Sequence, residues 1–515
     1  MLPPATVTGN KGLVVSQHFA ASEAGAEVLR AGGSAMDAVV ATSLVLSVVE
    51  PWMSGLGGIG YIIAGLPGKN PEVIDFSARS PAKILAGDYP VTRGVSNDIY
   101  PWPTVRDDRN VRGPLALCAP TLTQGLECAW NRYGRMPWAE LVQPAIDHAG
   151  KGVPVDWYTQ LIIGSVASEL QCDPDTAAVF LNPDGTGRTT GWTATAKQNF
   201  SVPNLDRTLE CIARDGADAL IRGDLASPII DDLQDKGSRI APDDLITAQP
   251  TLHDPDCSAF PQGSTLWTVP GQSGGPAVQH MLRTWYGNEG AHPAPPDEDF
   301  HCHQAVTGIR ILQERLACHG DAGIPAEAPS CTTNFLVIDR AGLVVAVTQS
   351  LLSLFGSKVL LPRTGILMNN AMALFDPMPG RPNSIGPNRR PLANMSPALL
   401  ETATSRRIAI AASGGRRIMP AIAQILGFLI ATGCRIDEAM AEPRMDFAAD
   451  GTIVADDRLP GHTLDALRAI GSVVIAKPTI LPFNFAIVNA AEQAPDGTIH
   501  GVAEPCCPNA ATRIA

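Results

Sequence analysis

Two strand-like runs, residues 334–339 and 342–349, open directly after Cys331-Thr332-Thr333, and they constrain this 515-residue chain more than any other stretch. Strands in quick succession, with helical patterns before and after, call for sheet layers covered by helices, an α/β architecture. The position also carries chemistry. A threonine at the head of a strand becomes a nucleophile if the peptide bond before it is cut.

Length alone suggests about three domains at ~150 residues each. No linker divides the chain, however, and one large α/β domain absorbs most of it. With 45% hydrophobic and 17% charged residues and no low-complexity tract, long disorder is not expected. The net charge is −13, and Lys and Arg are scattered rather than gathered into a stripe, which argues against a nucleic-acid partner. The longest apolar stretches, 38–49 and 421–431, fall short of the ~20 residues of a membrane span and read as buried helices. Eleven cysteines, odd in number and dispersed, fit free thiols in a reducing compartment. With no readable secretory signal at the start, the expected location is the cytoplasm.

Helical spacing over 20–31 ends at Gly32-Gly33, and Ser34 with Asp37 three residues later opens a second helix, 35–49, apolar nearly all round. Residues 55–60 form a G-x-G-x-x-G. A helix precedes it and a short strand follows, the reverse of a dinucleotide fingerprint, so nucleotide binding is not expected. Helices are expected over 121–133, 205–214, 303–319 and 418–431, a loop over 323–330 and a strand over 407–412. Gly414-Gly415 lies between that strand and the last helix.

Five segments in order resemble the γ-glutamyltranspeptidase family of N-terminal-nucleophile hydrolases. They are Gly32 to Ala38 with Glu50-Pro51 and Ser54 to Gly58; Cys331-Thr332-Thr333 with Val347 to Ser350 and Phe355-Gly356; Thr364 to Asn370; Pro391-Leu392 with Met395-Ser396-Pro397; and Ser413-Gly414-Gly415. The resemblance implies a four-layer αββα sandwich, one domain built from a large part, 1–331, and a small part, 332–515. It further implies a zymogen in which the Thr332 hydroxyl attacks the Cys331 carbonyl. Two associated fragments of 331 and 184 residues result (515 − 331). The freed Thr332 amine then serves as the base, Gly414 and Gly415 supply oxyanion donors, and Ser350 hydrogen-bonds the nucleophile. Neither cofactor nor metal is expected.

The departures bear on substrate. The family arginine that holds a substrate α-carboxylate follows an Asp-Phe pair. Here Ser77 follows Asp75-Phe76, and Arg79 stands two places on. The family's amino-group ligands fall at Leu352 and Leu374, a glutamine at Ala371, and a serine pair at Ala393-Asn394. A site without those partners strands a zwitterionic head, so glutathione is not the expected substrate. Residues 104–111 resemble the family's acylase branch, and apolar Leu352 and Leu374 favour an acyl chain. Arg79, Arg416 and Arg417 are read either as carboxylate receivers or as ordinary ion-pair partners. The expected activity is self-cleaving amidase or acylase action on an amide bond of an N-acyl compound or a small amide. A true γ-glutamyl transferase and an uncut, non-catalytic binding relative are the alternatives. His301-Cys302-His303 with Cys318-His319 matches no common zinc spacing, and Cys506-Cys507 lacks the spacer of a redox pair.

Overall fold

The computed structural model describes residues 6–95, 102–193, 195–260, 263–287, 297–318 and 332–515. Fourteen strands build its two large sheets: β1 (Thr6–Gly9), β2 (Gly12–Ser16), β3 (Ile59–Gly65), β4 (Glu72–Phe76), β5 (Thr251–His253), β6 (Asp256–Ala259), β7 (Thr265–Thr268), β8 (Thr333–Asp339), β9 (Val344–Ser350), β10 (Ala398–Glu401), β11 (Arg407–Ser413), β12 (Ile487–Gln493), β13 (Ile499–Val502) and β14 (Ala511–Ile514). One sheet runs β14-β2-β8-β9-β3-β4-β5 and the other β1-β13-β12-β11-β10-β7-β6. Neighbouring strands are antiparallel throughout both.

The sheets face each other through β8, β9, β11 and β12, and helices cover both outer faces. Helices α1 (Phe19–Arg30) and α2 (Ala35–Val49) lie on the first sheet, while α3 (Gly275–Tyr286), α4 (Glu298–Cys318) and α5 (Ile418–Thr432) lie on the side of the second. This is the expected αββα order. All fifteen residues of α2 are buried, because it runs between the sheet and the helices Leu122–Tyr133 and Trp138–Lys151. Its apolar circumference follows from that position.

Ser34 and Asp37 close the expected capping box at the start of α2. Asp339, the last residue of β8 before the turn into β9, accepts from the Ala35 N–H at 2.8 Å, so the hairpin and the helix start are fixed to one another. Gly342 (φ +81°) belongs to that turn, so β9 begins at Val344 rather than at 342. Helix α4 begins at Glu298, five residues before the expected 303. The Asp297 side chain accepts from the Phe300 N–H at 2.8 Å, and two acids fill the first turn. Its expected end at His319 lies outside the described residues. Among those residues, no helix is long and apolar enough to cross a membrane.

Candidate active site

The β8–β9 ladder ends with Thr333 opposite Gln349. One further step sets Thr332 opposite Ser350, both buried. Side chains alternate faces along a strand. Thr333 and Gln349 point toward α2: the Thr333 hydroxyl donates to Glu50 Oε2 at 2.7 Å, and Gln349 bonds Ser43 and Ser54. Asn334 points toward the second sheet, donating to the Ile487 carbonyl at 3.1 Å, and its own carbonyl accepts from Asn489 at 3.2 Å. The same alternation aims Thr332 and Ser350 into the gap between the sheets.

Across that gap, Ile487 is the cross-strand partner of Ser413, the last residue of β11. Gln17, just past β2, donates to Ser413 Oγ at 2.6 Å. Gly414-Gly415 therefore begins at the wall facing the head of β8. Gly414 has φ +127° and Gly415 φ +67°, conformations that admit glycine and few other residues. Helix α5 begins at Ile418, where the sequence places it. One 3-10 turn, Gly415–Arg417, intervenes before α5.

Glu50 closes α2 at its C-terminus and is fully buried. Burial pushes its carboxyl up to about 8, against a smaller lowering by the Thr333 hydrogen bond. The acid is thus neutral at pH 7. Sequence reasoning placed Glu50 in a motif without giving it a role; a lone acid closing an apolar helix was the available signal.

The glycine-rich segment serves packing. A Cβ on Gly57 would lie 2.2 Å from the Leu367 carbonyl oxygen, and one on Gly58 2.9 Å from that of Ser350. Asn369 and Asn370 complete this scaffold. Asn369 Nδ2 donates to the carbonyls of Gly57 (2.7 Å) and Cys118 (3.0 Å). Asn370 accepts from Ser353 N–H and donates to the Val111 carbonyl, tying the acylase-like stretch to the turn after β9. In that turn Leu352 adopts φ +85°, unusual for a branched apolar residue, and its N–H donates to Ser350 Oγ at 2.7 Å.

Leu352 and Leu374 are both buried in one apolar cluster with Met372, Leu392 and Met395. Asn394 stands beside it, its Oδ1 accepting from Arg315 of α4 at 3.4 Å. Arg315 also donates to the carbonyls of Ala393 and Ser273. A cavity of about 460 Å³ backs onto this wall, lined by Ser273, His280, Arg283, Arg315 and Leu392 among others.

The three arginines separate. Arg416 is ion-paired with buried Asp446, the ordinary reading of such a charge. Arg417 donates to the Gly414 carbonyl at 3.4 Å. Arg79 donates to the Asn388 carbonyl at 2.8 Å. Sequence reasoning missed Arg390, whose guanidinium pairs with Asp75 and reaches Ser77 Oγ at 3.5 Å. A cation thus arrives where the family arginine is lacking, already matched by Asp75.

Cys331 lies outside the described residues, as does His319. His301, Cys302 and His303 occupy successive positions of α4, about 100° apart around the axis, so they do not converge on one ion. Burial lowers the His301 imidazole to about 4. Cys507 is buried and gives its S–H to the Gln17 carbonyl.

The profile of the family described as gamma-glutamyltranspeptidase matches residues 21–311 and 304–514. The chain belongs to the gamma-glutamyltranspeptidase family. It is 30% identical to the acylase ACY 1 proenzyme of Pseudomonas sp. (strain V22), over 96% of this chain and 92% of that one. It is 28% identical to the glutathione hydrolase proenzyme of Bacillus subtilis (strain 168), over 90% and 85%. The cephalosporin acylase of Bacillus halodurans superposes with a TM-score of 0.86 at 20% identity, covering 100% of this chain and 98% of that one, a likeness of fold. Fold and enzyme class therefore stand as expected, those of a family whose members are Ntn hydrolases acting on amide bonds, and the two relatives named above are proenzymes.

Proposed function

We propose that Thr332 is the nucleophile of an acyl-amide hydrolase, released when its hydroxyl attacks the Cys331 carbonyl, the acyl group shifts from nitrogen to oxygen and water cleaves the ester. The large part, 1–331, and the small part, 332–515, then remain together as a heterodimer. One observation carries this reading: the head of β8, with Thr332 opposite Ser350, faces Gly414-Gly415 across the gap between the sheets. In turnover the Thr332 amine takes the hydroxyl proton as Oγ attacks the substrate carbonyl. Gly414 and Gly415 donate N–H groups to the oxyanion, and Ser350 orients the nucleophile. The proton then passes to the leaving amine, and water resolves the acyl-enzyme.

Buried Leu352 and Leu374 support an apolar acyl group, in keeping with the acylase relative. The glutathione hydrolase relative motivates the second reading, a γ-glutamyl substrate. For location we propose the cytoplasm, supported by free cysteines such as Cys118, Cys172 and Cys257. Denaturing electrophoresis with mass spectrometry tests the core. Two fragments are expected, the smaller beginning at Thr332, and none in Thr332→Ala. An intact wild-type chain after long incubation refutes the proposal. Comparing a γ-glutamyl anilide with a panel of aliphatic acyl amides separates the two substrate readings.

A further inference from the structure

We infer that Glu50 is the positioning residue that holds the nucleophile once the chain has been cut; this rests on the reading that cleavage falls before Thr332. Before the cut, the chain runs through Thr332 from both sides. Afterwards Thr332 is a chain terminus, and strand ends fray unless they are tied down. The ladder closes at Thr333 and Gln349, one residue short of the nucleophile.

The residues next in line are pinned on both faces of the strand. On the inner face Asn334 donates to the Ile487 carbonyl. On the outer face Thr333 donates to Glu50 at 2.7 Å. Thr333 is covalently adjacent to the nucleophile, so its rotation is the motion that most directly displaces Thr332.

Glu50 suits an anchor because its support does not move. Its backbone N–H bonds the Leu46 carbonyl at the end of α2, a helix buried along its whole length. A carboxylate at a helix C-terminus faces the negative end of the dipole, which together with burial favours the neutral acid. The titratable group facing it is the Cys507 thiol, which burial also keeps protonated. Gln349, Ser43 and Ser54 beside it carry no charge. What the anchor offers Thr333 is an acceptor oxygen of fixed position, and an amide offers the same.

The test compares wild type with Glu50→Gln, Glu50→Ala and Thr333→Val. Cleavage before Thr332 is followed by mass spectrometry, and kcat and KM are measured on an aliphatic acyl amide that the wild type hydrolyses. All three variants should be cut at near the wild-type rate, since in the intact chain Thr332 is not yet a terminus. Glu50→Ala and Thr333→Val should then lose about tenfold in kcat with KM little changed, the worth of one buried hydrogen bond. Glu50→Gln should retain kcat. Thr333→Val is nearly isosteric and guards against a folding failure of Glu50→Ala. Wild-type kcat in both disrupting variants overturns the inference. So does a loss confined to KM, a Glu50→Gln no better than Glu50→Ala, or a folded variant that cannot be cut. A wild type that stays a single chain instead refutes the cleavage reading, and that is seen before any variant is compared.

Discussion

Replacing Glu50 by glutamine should stabilise the protein, and by an amount that grows with pH. The ordinary carboxyl value is 4.5, and burial raises Glu50 to about 8. Below pH 4.5 the group is protonated in both folded and unfolded chains, and stability does not depend on it. Between 4.5 and 8 the unfolded chain has released a proton that the folded chain keeps, so stability falls as pH rises, by about 1.4 kcal/mol per unit. At pH 7 the accumulated loss is about 3 kcal/mol, and it levels off near 5 kcal/mol above pH 8. Glutamine does not titrate and still accepts from Thr333. Denaturant unfolding at pH 5 to 9, in the Thr332→Ala background so that one chain is followed, should show the variant's advantage widening with pH and then flattening. An advantage constant across that range refutes the neutral, buried carboxyl; one that shrinks with pH reverses the sign.

Gly414→Ala places a side chain at φ +127° with its Cβ 3.1 Å from the Ala486 Cα, and should cut kcat by about 10²- to 10³-fold if the oxyanion is bound there; an unchanged kcat removes Gly414 from the oxyanion site. Leu352→Asn should fold, since asparagine tolerates φ +85°, and should lower kcat/KM on aliphatic acyl amides by about tenfold while leaving self-cleavage intact; equal activity on those amides would mean Leu352 does not line the acyl pocket. Arg79→Gln should raise KM only for acyl groups that end in a carboxylate; a uniform effect on neutral acyl groups points to a structural role through its bond to Asn388.

Much of the structure around the candidate site was legible because local signals agree with the global fold. The capping box at Ser34, the head of β8 and the double glycine after β11 are each short patterns, and the fold places the strand head and the glycines opposite one another. What stayed hidden depends on distant partners. The pairing of Arg390 with Asp75 joins residues 315 apart, and Arg315 meets Asn394 only after α4 packs against the 392–396 segment. No spacing rule reaches so far. The small sheet Met445–Phe447, Thr452–Asp456 and Ser472–Ala476 also escaped, since its strands are short and one of them is mostly exposed. The glycines of 55–60 showed the converse. Their pattern imitated a phosphate cradle, while the structure uses them to let three backbones approach.

The strand order of the sheet that holds β8 has a consequence for how such a protein can be produced. β2 lies between β14 and β8, so a strand from before residue 331 separates two from after it, and in the other sheet β1 and β7 flank a block from the later part. A cut before Thr332 divides the covalent chain without dividing the fold, because parting the halves means unzipping ladders in both sheets at once. Either half made alone would present several raw strand edges to its neighbours. The two halves should therefore be recovered poorly when expressed apart and mixed, and the single precursor gene is the route by which the interleaved sheets can be laid down in register.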